Sequence, residues 1–169
     1  MSDPHLRSPG RLSHAVALRA VLDPTPNHRR GRNRLVSEAR KGRVLVVDDV
    51  PSITLALDIW LRREGYECIR AHSSAEALDQ LDRVPIDLVI ADVPVPRAAG
   101  AALIKEVKRR APRLPVIAMT VCDPPPEEAG PLNAECYLLK PFTIDELSRR
   151  VAGLLADPEL GGEYGRIVS

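Results

Sequence analysis

Five positions in this 169-residue chain place a reactive side chain where an apolar run stops abruptly. Asp48 and Asp49 follow Val44-Leu45-Val46-Val47, and Asp92 follows Leu88-Val89-Ile90-Ala91. Thr120 follows Val116-Ile117-Ala118-Met119, and Lys140 follows Cys136-Tyr137-Leu138-Leu139. Asp92 is the centre of the set, because Pro94 and Pro96 forbid its run from continuing as a strand and leave the carboxylate at the end. Neighbouring strands would bring three carboxylates into one crevice, where like charges a few ångströms apart raise one another's pKa. A hard divalent cation relieves that, and an all-oxygen donor set that keeps several waters suits Mg²⁺. Such a cation screens an incoming phosphoryl group while one carboxylate attacks phosphorus, a covalent route open to Asp. Phosphoryl transfer asks chiefly for positioning and charge neutralisation; Lys140 can pair with one phosphoryl oxygen and the Thr120 hydroxyl can donate to another. Taken singly, an Asp at a strand end is more often a turn or cap, Thr120 a helix cap and Lys140 a solvated charge. The joint arrangement is what points to chemistry.

The elements that must position these groups can be read in order. The four runs above, with the weaker Glu67-Cys68-Ile69-Arg70-Ala71, predict five strands; the interleaved charges of the weaker one suit a sheet edge. Residues 51–65 form a helical pattern with Ile53, Leu57, Trp60 and Leu61 on one face, and Gly65 supplies the stop. Ser73 and Glu76 have capping-box spacing and open a helix that buries Ala77, Leu78 and Leu81 before Pro85 closes it. Residues 100–111 place Leu103, Ile104 and Val107 on one face, with Lys108, Arg109 and Arg110 complementing the negative helix end. Thr143 and Glu146 repeat the capping box ahead of the stripe Ile144, Leu147, Val151, Leu154 and Leu155. The crossover 121–135 differs: Pro124, Pro125, Pro126, Gly130 and Pro131 leave room for only a turn or two, so the fourth helix is expected to be short or irregular. Strands alternating with helices imply βαβ units and an α/β, doubly wound, five-stranded parallel sheet of flavodoxin-like order 2-1-3-4-5. Ligands bind such sheets at the carboxyl edge, where all five positions fall.

Composition narrows the rest. With 44% hydrophobic and 28% charged residues the chain can bury one ordinary core. Residues 1–43 hold ten Lys/Arg against three Asp/Glu, which gives +7 there and −6 on the remainder of a chain of net charge +1. An acidic body with 3% aromatics argues against a nucleic-acid-binding core. Cys68, Cys122 and Cys136 lack paired spacing and fit a reducing compartment. His5, His14, His28 and His72 lack metal-ligand spacing, so no zinc is expected. No apolar run approaches the roughly 20 residues of a membrane span, and a soluble, cytoplasmic product is expected. Residues 1–42 are expected to be a basic, mostly disordered extension broken by Pro4, Pro9, Pro24 and Pro26. Within it, residues 13–22 (Ser-His-Ala-Val-Ala-Leu-Arg-Ala-Val-Leu) have the pattern of about two helical turns capped by Ser13. Arg19 interrupts any secretory apolar region; the composition overlaps with transit peptides and with sequence upstream of a mis-set start. Residues 43–156 are the folded unit, and residues 157–169, too few to fold alone, form a tail, so no DNA-binding or other effector domain is expected there.

The set Asp48-Asp49, Asp92 followed by Val93-Pro94-Val95-Pro96-Arg97-Ala98-Ala99-Gly100, Thr120, and Tyr137-Leu138-Leu139-Lys140-Pro141-Phe142 resembles the receiver domain of two-component response regulators. The resemblance spans Arg43 to about Ala156. It implies that Asp92 accepts a phosphoryl group from a phosphohistidine on a sensor histidine kinase or histidine phosphotransfer protein. It implies further that Asp48, Asp49, Asp92 and the backbone carbonyl of Pro94 hold Mg²⁺, proline having lost only its N–H. Lys140 and Thr120 would bind the phosphoryl oxygens. Thr120 and Tyr137 would form the switch that reports phosphorylation to an unknown downstream protein target, as a shift between two packings.

The sequence departs from the family at several places. Val95 stands where Met is usual and Ala99 where Asp is frequent; neither touches the chemistry. Val121 replaces a common Ala beside the switch Thr and is expected to narrow access to Asp92, and Asn133-Ala134 replaces Gly-Ala. With the proline-loaded crossover, these put the output surface in question more than the chemistry. One alternative is a receiver-like interaction module that binds a partner without phosphorylation. Another is an Asp-nucleophile phosphohydrolase of the haloacid dehalogenase type, although that pattern wants a second acid at position 50, which is Val.

Overall fold

The structure, a computed structural model, describes residues 41–93, 98–121 and 133–156, with residues 98–100 in backbone only. Expectations on the extension with its histidines, on Cys122, on Pro94 to Pro96, on residues 157–169 and on most of the crossover 121–135 lie outside the described residues.

Five strands form one parallel sheet: β1 (Arg43–Val47), β2 (Glu67–Ala71), β3 (Leu88–Asp92), β4 (Val116–Thr120) and β5 (Cys136–Leu139). Its order is β2-β1-β3-β4-β5, as the alternation of elements predicted. Among the described residues four helices cover it: α1 (Pro51–Arg63), α2 (Ser74–Arg83), α3 (Ala98–Arg110) and α4 (Ile144–Ala156). The side-chain period of two splits each inner strand between two cores. Val44 and Val46 of β1 join Leu57, Trp60 and Leu61 of α1 and Leu147, Val151 and Leu154 of α4 on one face. Leu45 and Val47 join Ala77 of α2 and Leu103, Ile104 and Val107 of α3 on the other. Burial on both faces is why β1, β3 and β4 read as unbroken apolar runs.

Local chemistry sets the helix ends. Pro51 takes the first turn of α1, where no N–H partner is needed. At its other end the Gly65 N–H donates to the Arg62 carbonyl at 3.1 Å and the Tyr66 N–H to the Leu61 carbonyl at 2.9 Å. This Schellman arrangement requires the positive φ of Gly65, +91°. Ser73 caps α2, its Oγ accepting from the Glu76 N–H at 3.1 Å. The Glu76 carboxylate reaches one residue further back than the capping-box spacing indicates, to the His72 N–H at 2.7 Å. Val84, held extended ahead of Pro85, ends α2. Thr143 Oγ1 accepts from the Glu146 N–H at 3.2 Å, as predicted for α4.

One expectation needs correction, and another is extended. Leu78 and Leu81 are half-buried against the outside of the core, and Ala77 alone of α2 is fully enclosed. Helical periodicity gives the direction of a face without saying how much covers it. At the end of α3, Lys108 does more than complement the helix terminus. Its ammonium donates to the Leu114 carbonyl at 2.7 Å and pairs with Glu135, whose other oxygen accepts from the Val116 N–H at 2.8 Å. The pair ties α3 to the starts of β4 and β5.

Candidate functional site

The carboxyl ends of β1, β3, β4 and β5 form one edge, and backbone hydrogen bonds continue past the strands to hold the residues there. The Asp48 N–H donates to the Ala71 carbonyl at 3.2 Å, Val93 N–H to Met119 at 2.8 Å, and Lys140 N–H to Thr120 at 2.7 Å. The side chains therefore emerge from a fixed frame rather than from free loops.

Three of the predicted acids meet. Asp48, Asp49 and Asp92 each offer a carboxylate oxygen, and these lie within 4.8 Å of one another. Lys140 joins them, its Nζ 2.9 Å from Asp92 Oδ1 and 3.4 Å from Asp48 Oδ2. The Asp48 side chain is fully enclosed, that of Lys140 only 6% exposed and that of Asp92 14%. Three carboxylates against one ammonium leave a formal charge of −2. Burial pushes the Asp48 carboxyl above the ordinary carboxylate range. Lys140 and the Val50 N–H, which donates to Asp48 Oδ1 at 2.9 Å, oppose that shift, and the nearby Asp92 charge adds to it.

Thr120 is buried at the end of β4. Met119 packs into one core and Ala118 into the other, so by strand alternation Thr120 shares a face with Ala118 and with Tyr137, which packs against that second core. The register pairs Ala118 with Tyr137 and Thr120 with Leu139, which puts Thr120 and Tyr137 on a diagonal of one sheet face. Val121, just beyond, is 46% exposed. Pro94 lies outside the described residues.

His72 was missed by sequence reasoning. It follows β2 as the other site residues follow their strands, and its Nδ1 lies 3.3 Å from the Asp48 carbonyl, a hydrogen bond when Nδ1 carries the proton. Position was the available signal; lack of metal-ligand spacing concealed it.

The donor chemistry fits a divalent cation. Ligands at 2.0–2.1 Å around one octahedral Mg²⁺ lie roughly 3–4 Å apart, so oxygens within 4.8 Å need only a modest closure. The formal −2 matches the charge such an ion brings.

Comparison with known proteins agrees with this geometry. The family model of the response regulator receiver domain matches residues 44–152. Relatives include the transcriptional regulatory protein TrcR of Mycobacterium tuberculosis, 32% identical over 115 residues, which cover 67% of this chain and 45% of that protein. The alkaline phosphatase synthesis transcriptional regulatory protein PhoP of Bacillus subtilis is 32% identical over 123 residues, 70% of this chain and 50% of that protein. The chain thus spans about half the length of the curated relatives it matches. Among solved structures, the response regulator TrrA of Thermotoga maritima, in complex with Mg²⁺-BeF, aligns with a TM-score of 0.59 at 32% identity, covering 67% of this chain and 98% of that one. The chemotaxis protein CheY4 of Vibrio cholerae aligns with a TM-score of 0.61 at 28% identity, covering 66% and 97%. This chain belongs to the response regulator receiver domain family, the signalling unit of two-component systems.

Proposed function

We propose that residues 43–156 form a phosphoacceptor unit that takes a phosphoryl group onto Asp92. The observation that carries this reading is the Lys140 ammonium held between Asp92 and Asp48, inside a cluster of three carboxylates at the carboxyl edge. A carboxylate oxygen of Asp92 attacks phosphorus; the new P–O bond forms as the bond to the donor breaks, and the donor leaves with that electron pair. Phosphohistidine of a sensor histidine kinase or histidine phosphotransfer protein is the donor this chemistry fits. Asp48, Asp49, Asp92 and the Pro94 carbonyl hold Mg²⁺, which when bound neutralises charge on the phosphoryl oxygens. Lys140 takes one phosphoryl oxygen and the Thr120 hydroxyl another. The new charge biases Thr120 and Tyr137, on one sheet face, toward a second packing that a downstream protein reads. The TrrA complex with Mg²⁺-BeF supports the cation.

On this reading the protein signals and catalyses nothing beyond its own phosphorylation and dephosphorylation. It works in the cytoplasm beside its phosphoryl source. No helix among the described residues is long and apolar enough to cross a membrane. The test is intact mass after incubation with acetyl phosphate and Mg²⁺. One phosphoryl adduct is expected in the wild type and none in Asp92→Ala. Absence of an adduct with Mg²⁺ in excess sinks the proposal and leaves the interaction-module reading, while turnover of added phosphate esters would favour a hydrolase.

A further inference from the structure

A second surface lies away from the carboxyl edge and takes no part in the chemistry above. Between the end of α1 and the middle of α4 is a groove of about 290 Å³, lined by Lys41, Trp60, Glu64, Tyr66, Ser148, Arg149 and Ala152. Trp60, Tyr66, Ala152 and the aliphatic stems of Lys41 and Arg149 make its walls largely apolar, and Glu64 is its one acid. The volume sits at the lower end of ligand clefts, room for roughly two or three apolar side chains rather than for a folded partner.

The chain enters the described structure at this groove. The Lys41 N–H donates to the Gly65 carbonyl at 3.3 Å, and its ammonium stands 5.6 Å from the centre of the Tyr66 ring. Residues 1–40, which precede it, lie outside the described residues. Their composition is basic and proline-broken except at residues 13–22, where Ala15, Leu18, Val21 and Leu22 recur at helical spacing and Arg19 is the one charge. That segment matches the groove in apolar character. Eighteen residues separate Leu22 from Lys41. A linker of that length joins two sites at an effective concentration on the order of millimolar. Even weak intrinsic affinity then fills the groove much of the time.

We propose that the groove between α1 and α4 is an intramolecular docking site for residues 13–22 of the same chain. The docked segment bridges two helices that begin just after the site residues, α1 at Pro51 after Asp49 and α4 at Ile144 after Lys140.

Ala152 lines the groove from the exposed side of α4, so its accessibility reports occupancy. In the 169-residue chain carrying Ala152→Cys, the rate of thiol alkylation at position 152 is expected to rise at least twofold when the pair Leu18→Asp, Val21→Asp is added. Both substitutions lie outside the folded unit, so they leave its core intact. Ala152→Arg, on the exposed side of α4, blocks the groove and is expected to abolish the cross-link described next. A photo-cross-linker in place of Leu18 is expected to join peptides containing Trp60 or Ala152 within one chain. An unchanged alkylation rate at position 152, a cross-link mapped elsewhere, a cross-link that survives Ala152→Arg, or one found only between two chains would overturn the proposal.

Discussion

If Asp48, Asp49 and Asp92 hold Mg²⁺, the ion binds the native state and not the unfolded chain, and its affinity must appear as stability. At free Mg²⁺ one hundred times its Kd the gain is about 2.7 kcal/mol. Residues 43–156 number 114, and at about 2.1 cal/mol/K per residue the unfolding entropy is about 0.24 kcal/mol/K, so the melting temperature should rise by about 11 °C. Asp48→Asn removes one charged ligand. A 100-fold loss of affinity leaves Mg²⁺ near its new Kd, and the gain falls to about 0.4 kcal/mol, under about 2 °C. Circular dichroism melts with and without Mg²⁺ measure both.

The pH dependence sharpens this. Burial holds the folded Asp48 carboxyl above its ordinary range, outweighing Lys140 and the Val50 N–H. Between the unfolded value and the raised folded value, the native state keeps a proton that the unfolded chain has lost. Stability without metal is therefore full below the unfolded pKa and falls as pH rises through the folded one. Asp48→Asn should flatten that fall and raise the metal-free melting temperature at neutral pH. Because Mg²⁺ needs the ionised form, its stabilisation should fade on acidification at a higher pH than ordinary carboxylates dictate. A wild type indifferent to saturating Mg²⁺, or an Asp48→Asn variant that keeps the full shift, would refute the reasoning.

Two further outcomes test the scaffold. Leu57→Ala, at a side chain 1% exposed between α1 and the sheet, should cost about 2–5 kcal/mol, read as a lower urea midpoint with an unchanged slope. Gly65→Ala should cost about 1–2 kcal/mol on the same assay, because φ +91° strains an L residue. The added Cβ meets only the Lys41 stem, at 3.6–3.8 Å, so packing contributes little and an unchanged midpoint would disprove the backbone argument.

The sheet was legible because its inner strands are buried on both faces and so announce themselves as unbroken apolar runs, while the charges in Glu67–Ala71 placed β2 at an edge. The clustering of Asp48, Asp49, Asp92 and Lys140 was legible for a topological reason: residues that end parallel strands share an edge wherever the order is known. What stayed hidden depends on distances across the fold. His72 is flagged in the sequence only by its position after β2, which does not give its approach to the Asp48 carbonyl, and Lys108 and Glu135, 27 residues apart, reveal no pairing in their spacing. The cover over Leu78 and Leu81 likewise depends on how far α2 reaches across the sheet, which periodicity leaves open.

Lys140 also links the two ligands of the proposed site. Its ammonium now serves Asp92 and the enclosed Asp48 together, from 2.9 and 3.4 Å. A phosphoryl group on Asp92 changes a charge of −1 to roughly −2 and adds strong acceptors, which draws the ammonium toward Asp92. Asp48 then loses part of its counter-charge while still buried, the arrangement that makes an ionised carboxylate most costly. A divalent cation on Asp48 and Asp49 removes that cost. Phosphorylation and Mg²⁺ binding therefore favour each other on this reading, and by linkage each raises the affinity for the other by the same factor. The coupling needs no motion beyond the shift of one lysine side chain, since backbone hydrogen bonds to the neighbouring strands already hold Asp48 and Lys140 at the sheet edge.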